Sequence, residues 1–142
     1  MRTTVDDVRA FWNAGPCQSD LSLAEERRRY FQEITDKRYA IREWHVPTVA
    51  KFGSFQGKDV LEIGVGMGAN HVEWARSRPL SLTGIDLTAR AVDHVKQRFD
   101  TYGLKSDIFL GDAENLPFLS KSFDIVYSWG VIHRTPDTQA AI

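Results

Sequence analysis

Between Val60 and Gly68 the chain reads Val-Leu-Glu-Ile-Gly-Val-Gly-Met-Gly. An apolar run gives way to three glycines at alternate positions, with an acid, Glu62, two residues before the first. The run has the composition of a buried strand. Glycines at Gly64, Gly66 and Gly68 let the backbone turn sharply and come close to something else. The next residues, Ala69 to Arg76, can be helical. A strand, a glycine turn and a helix N-terminus form a cradle for a nucleotide-like ligand, because unpaired N–H groups face the turn. Asp86 closes a second apolar stretch about 20 residues beyond the glycines, where a carboxylate can accept both hydroxyls of a ribose. At Gly111-Asp112-Ala113 a carboxylate could meet an exocyclic amine, and the backbone at Ala113 a ring nitrogen. Each feature also has a plainer reading: a ligand-free tight turn at the glycines, a helix cap at Asp86, a surface turn at Asp112. For Asp86 the neighbouring Thr88 is the better cap.

The elements that must position these residues alternate from Gln56 onward. Strands are expected at Asp59 to Ile63, Ser81 to Ile85, Asp107 to Leu110 and Phe123 to Tyr127, with helices at Asn70 to Arg76 and from Thr88 to near Gly103. Strands alternating with helices of this length imply an α/β fold with a doubly wound, Rossmann-like parallel sheet. In such a sheet ligands bind at the carboxyl ends of the strands, and all four strand ends here are polar or glycine-rich. The fourth ends at Ser128-Trp129-Gly130. Residues 1–50 differ and read as an N-terminal helical cap; 51–142 form the sheet domain. In the cap, Thr4 can start a short helix, and Ser22-Leu23-Ala24-Glu25 has the form of a capping box. Apolar residues recur at near-helical spacing from Leu23 to Trp44, and Pro47 opens a short helix stopped by Gly53.

At 142 residues the chain is about one domain long. A net charge of −1 gives no electrostatic case for nucleic acid or for a membrane surface. The basic run Arg27-Arg28-Arg29, preceded by Glu25 and Glu26, reads as a solvated helix face. Cys17 is the only cysteine and the N-terminus carries no secretory pattern, so a cytoplasmic protein is expected. The four histidines share no ligand spacing with Cys17 or each other, so no metal is expected.

Glycines and strand-end acid alone leave two chemistries open. Gly64-Val65-Gly66-Met67-Gly68-Ala69 also fits G-x-G-x-x-A, a dinucleotide fingerprint, so hydride transfer with NAD competes with methyl transfer. The later strand ends separate them. Taken with Gly84-Ile85-Asp86-Leu87-Thr88, Gly111-Asp112-Ala113-Glu114-Asn115-Leu116-Pro117-Phe118 and Ser122 to His133, the glycine motif resembles the class I S-adenosylmethionine-dependent methyltransferases. The resemblance is greatest to the group related to the ubiquinone/menaquinone methyltransferases. It spans residues 59–137. It implies S-adenosylmethionine as cofactor and a small-molecule methyl acceptor. It also implies roles: the glycine turn under the methionine portion, with Glu62 orienting the turn or the ligand's amino group; Asp86 on the ribose; Leu87 against the adenine; Asp112 and Ala113 at the adenine edge; Ser128 and Trp129 at the methionine and the substrate opening. Trp12, Tyr30 and Tyr39 are candidates to line the site from the cap.

His133 is the candidate general base, since it follows the fourth strand and a histidine ordinarily titrates near neutrality. The sequence departs from the family at His133-Arg134, where a His-His pair is common. It also carries only the first four of the family's seven strands, in the expected order 3-2-1-4, so a C-terminally truncated chain that keeps the cofactor part is expected. An apolar fourth strand without an outer neighbour is a pairing hazard. It raises a second reading, a non-catalytic module that binds cofactor or self-associates through that strand.

Overall fold

A computed structural model describes residues 3–15 and 25–142 of the chain. Cys17 and most of the Ser22–Glu25 capping box lie outside the described residues. Four parallel strands, β1 (Asp59–Ile63), β2 (Ser81–Asp86), β3 (Asp107–Leu110) and β4 (Ile125–Ser128), form one sheet in the order β3-β2-β1-β4. This is the topology expected from the sequence. Register is set by pairs such as Glu62↔Gly84, Ile63↔Ser128 and Gly84↔Ile108. Successive side chains on a strand point to opposite faces, and the core divides accordingly. Val60, Leu82 and Ile108 pack with Val72, Trp74, Val95 and Phe99 on one face. Leu61, Ile63 and Ile85 pack with Ala113 and Ala141 on the other, beside Phe118, Phe123, Val131 and Ile132. β4 begins two residues later than the apolar run suggested. Phe123 leaves the ladder to meet the Phe118 ring edge-on, with centroids 5.1 Å apart. Among the described residues β4 pairs only with β1, and Val126 is exposed.

The helices between the strands have clear end signals. Helix α4 (Ala69–Arg76) follows Gly68, and α5 (Ala89–Tyr102) runs from Thr88, whose Oγ1 accepts the Ala91 N–H, to Gly103 in the left-handed region. In the cap, α1 (Val5–Ala14) opens with a reciprocal capping box between Thr4 and Asp7. None of its residues is buried; Arg90 of α5 holds its end by donating to the Asn13 and Ala14 carbonyls. Helix α2 (Arg27–Lys37) is capped by the Glu26 carboxylate. The basic run is only partly a solvated face, because Arg28 donates to the Thr101 carbonyl of α5 at 2.7 Å.

The long helix expected through Trp44 differs. After Lys37 the chain widens into a π-turn, Arg38–Arg42, where the Glu43 N–H donates to the Arg38 carbonyl five residues back. The same spacing lets the Arg38 guanidinium pair with the Glu43 carboxylate at 2.6 Å, an ion pair that an α-helical turn would splay apart. Ile41 and Trp44 are therefore exposed rather than core-facing. Helix α3 (Val46–Ala50) ends at Lys51, which takes the left-handed conformation expected of Gly53.

Arg98 of α5 joins cap to sheet. Its guanidinium is buried, yet no carboxylate pairs with it among the described residues. Nη1 donates to the Met67 carbonyl in the glycine turn at 2.7 Å. Nη2 donates to the Phe31 carbonyl of α2 at 3.1 Å and to Thr35 Oγ1. The cation also lies over the Phe31 and Tyr102 rings. Burial lowers its pKa to about 10, so it remains charged at neutrality.

One turn earlier, burial first, then the Arg98 and Arg90 charges, lower His94 to about 4. The folded chain thus holds His94 neutral where an unfolded histidine takes a proton. Native stability is full above pH ~6.5 and falls as pH drops from there toward about 4, because the unfolded state binds the extra proton. Replacing His94 with Phe is expected to flatten that slope in urea denaturation series between pH 4 and 7. An unchanged slope would assign the acid sensitivity to other groups.

Candidate active site

The carboxyl ends of the strands enclose a cleft of about 210 Å³. Its floor is the turn after β1 (Gly64, Val65, Gly66), its walls are Asp86 at the end of β2, Leu87 beyond it, and Gly111 to Ala113 after β3. Trp129 to Val131 after β4 complete it, with Val8 and Trp12 of α1 and the Arg38–Glu43 pair on the cap side.

Gly64 takes φ 79°, and a Cβ there would lie 2.2 Å from Val131 Cγ2, so both backbone and packing require glycine. Gly66 differs: a Cβ would meet nothing within 4 Å, because the residue borders the open cleft. This bare wall is what close approach of a ligand to backbone needs. Gly68 is outside the lining and serves as the start of α4.

Asp86 organises two of these turns. Its Oδ2 accepts the Gly66 N–H at 2.9 Å. Its Oδ1 accepts from the Thr88 N–H at 3.0 Å and the Thr88 hydroxyl at 2.9 Å. A carboxylate has about four acceptor sites, so positions remain for a ligand at the cleft wall. Asp112 Oδ1 accepts the Glu114 N–H at 2.9 Å, fixing the third turn, with Ala113 buried beside it. Leu87 and Trp129 line the cleft; Ser128 does not, its hydroxyl donating to the Ile63 carbonyl at 3.2 Å. His133 is exposed on the 3₁₀ turn Ile132–Arg134 and outside the lining, whereas the adjacent Arg134 lines the cleft and covers the Trp12 ring. Of the aromatic cap candidates, Trp12 lines the cleft and Tyr30 and Tyr39 do not.

Two largely buried polar chains support the floor. Tyr39 donates to Asn70 Oδ1 at 2.7 Å, and Asn70 Nδ2 donates to the Tyr127 hydroxyl at 3.2 Å, fixing a cleft-lining amide from two sides. Burial raises both phenols above their ordinary range, so they stay protonated donors. Behind the floor, Glu62 Oε2 lies 2.9 Å from His71 Nδ1, and His71 Nε2 lies 2.8 Å from Ser106 Oγ. Sequence reasoning missed Asn70, His71, Arg38 and Glu43. A polar Asn-His pair in the first turn of a helix that must face the core was the available signal for the first two. The Arg38–Glu43 pair had none, because its spacing suits only a π-turn.

Residues 60–142 match the sequence profile of the methyltransferase-domain family. The chain is 36% identical over 100 residues to a fatty-acid O-methyltransferase of Mycolicibacterium smegmatis, covering 70% of this chain and 35% of that one. It is 41% identical over 81 residues to a phthiotriol/phenolphthiotriol dimycocerosates methyltransferase of Mycobacterium tuberculosis, covering 56% and 29%. A SAM-dependent methyltransferase from Aquifex aeolicus superposes with a TM-score of 0.65 at 15% identity, covering 83% of this chain and 64% of that one, which speaks to fold alone. The chain belongs to the methyltransferase-domain family, and its four strands stand in the order expected for the first four of a class I S-adenosylmethionine-dependent methyltransferase. It spans about a third of the length of the curated relatives it matches.

Gly84 shows how tightly the floor is built. A Cβ there would fall 2.8 Å from the His71 ring and 2.7 Å from Val65 Cγ1. Gly84→Ala is expected to destabilise the fold by about 1–3 kcal/mol, the usual cost of overpacking. Urea unfolding measures this; an unchanged midpoint would mean that the ring has room to shift.

Proposed function

We propose that the chain binds S-adenosylmethionine in this cleft and serves methyl transfer to a small molecule. The observation that carries the reading is the convergence of four strand-end turns, bare backbone at Gly66 and the Asp86 carboxylate on one cleft within the family's matched region. The residues fit the cofactor: Asp86 offers acceptor capacity for ribose hydroxyls, Leu87 an apolar surface for the adenine, Asp112 and Ala113 a polar edge. Glu62 offers a buried carboxylate for an ammonium group. The bound cofactor supplies an electrophilic methyl group. The chain's own part is to orient the ligand on a rigid floor and exclude water with Trp12, Trp129 and the Arg38–Glu43 pair. A base role for His133 requires its surface turn to bring the ring to an acceptor. The fatty-acid O-methyltransferase and the phthiotriol/phenolphthiotriol dimycocerosates methyltransferase among the relatives favour a fatty-acid-like or related lipid acceptor. Among the described residues no helix is long and apolar enough to cross a membrane; a cytoplasmic location is our proposal from the single cysteine of the sequence.

Titration calorimetry with S-adenosylhomocysteine tests the cofactor reading. Asp86→Ala removes the acceptor of a charged hydrogen bond and the tie to Gly66, and is expected to weaken binding by about 10–100-fold. Binding unaffected by that change would place the ligand elsewhere. NAD in the same assay is expected to give no heat. A second reading rests on the outer edge of β4, which pairs with no further strand among the described residues and through which two copies could join their sheets. Sedimentation velocity is expected to show a dimer that Val126→Lys dissociates; a monomer at all concentrations would exclude it.

A further inference from the structure

The Glu62–His71–Ser106 chain connects the cleft to a different part of the surface. Glu62 lines the cleft and is 2% exposed; His71 is fully buried. Ser106 is half-buried and lines a second groove of about 720 Å³, with Leu82, Phe99, Lys105 and Asp107, toward the opposite end of β2 and β3. The imidazole has little freedom between them. Gly84 leaves just enough space for the ring, and Phe99 lies 5.1 Å from it.

The Ser106 hydroxyl has one proton and two acceptors in reach, the Leu82 carbonyl and His71 Nε2, both at 2.8 Å. If it donates to Leu82, it must accept from an Nε2–H. One further proton is then shared between His71 Nδ1 and Glu62 Oε2, since two facing lone pairs would repel, and the pair is neutral. If Ser106 donates to His71, Nε2 carries no proton. Nδ1–H then donates to the Glu62 carboxylate, and the pair carries one negative charge. The two arrangements satisfy the same buried groups and differ by one proton and the turn of one hydroxyl.

We propose that this chain is a proton-linked relay along one face of the sheet: a cation bound beside Glu62 selects the negatively charged arrangement and expels one proton into the second groove. The step balances. The Nε2–H bond breaks as its proton forms a new bond to Ser106 Oγ, and Ser106 passes its former proton to groove water. His71 and Ser106 are positioning residues that set the charge Glu62 presents. The proposal rests on the S-adenosylmethionine reading for the identity of the cation, the ligand's ammonium group.

The other titratable and charged groups bearing on Glu62 are Tyr39 of the π-turn and Tyr127 of β4. Beyond them lie Arg38, Glu43, Glu73 and Arg98. The two phenols stay protonated through neutral pH because burial holds them so. Arg38 and Glu43 neutralise each other at 2.6 Å.

Calorimetry of S-adenosylhomocysteine binding, in buffers of different ionisation enthalpy at matched pH between 5.5 and 7.5, counts the protons exchanged. The full chain is expected to release up to about one proton per ligand, with affinity rising by up to about tenfold per pH unit. His71→Gln, whose amide can bond to both neighbours but does not titrate, is expected to bind with no proton release. Ser106→Ala, a change at a half-buried position, removes the acceptor of Nε2–H in one arrangement, the donor to Nε2 in the other and the proton's way out, and is expected to shift the pH range over which binding releases a proton. Buffer-independent heats for the unaltered chain, release unchanged in His71→Gln, or Ser106→Ala indistinguishable across the range would each overturn the relay while leaving the cofactor reading intact. Absence of any binding by the unaltered chain would remove the cofactor reading and the relay together.

Discussion

The guanidinium of Arg98 is the constraint on which the arrangement turns. A buried charge is costly to desolvate, and here, with no carboxylate against it among the described residues, three oxygens and two aromatic faces replace most of its water, Nε alone lacking a partner. Those oxygens belong to separate parts of the chain: Met67 to the glycine turn, Phe31 and Thr35 to α2. Satisfying one buried ion therefore fixes the cap against the floor of the cleft. A hydrophobic side chain at this position could fill the volume, but it would take the donor from the Met67 carbonyl, at a cost of about 1–3 kcal/mol, while the Phe31 carbonyl would keep the Thr35 hydroxyl.

Asp86 holds the turns after β1 and β2 as Arg98 holds the cap. Its carboxylate bonds to the Gly66 N–H and to Thr88, and its own carbonyl accepts the Gly111 N–H, so the first three strand ends are tied through one residue. A residue proposed to touch ligand is thus also a keystone of the cleft itself. Preorganisation is the direct result: the floor needs little rearrangement to receive a ligand, and little of the binding free energy is spent on ordering it.

The sheet was legible because its signals are local. Alternating apolar strands, Thr88 and Gly103 bracketing α5, and glycines after β1 follow from backbone chemistry that any parallel sheet must obey. The cleft-facing glycine and acid were legible for the same reason. The cap was not. Ile41 and Trp44 fall at helical spacing, yet the π-turn carries them to the surface, and that turn is accompanied by an ion pair across five residues. Tyr39 and Tyr127, 88 positions apart in the chain, meet only through Asn70. Contacts of that kind leave no periodicity to read. Glu62 and His71 sit in plain view nine positions apart, but their pairing requires knowing that Gly84, from another strand, vacates the space for a ring.

The π-turn at Arg38–Arg42 also bears on how this protein can change over evolutionary time. A π-turn holds about one residue more than an α-helical turn, and each residue of helix turns the chain by about 100°. Deleting one residue between Arg38 and Glu43 would restore an ordinary helix and swing everything before or after it around the axis. The Tyr39 hydroxyl would leave Asn70, and Arg38 would leave the cleft wall. Substitutions in this segment can drift one at a time, whereas its length is coupled to the cleft, so insertions and deletions should be confined to the joints outside it.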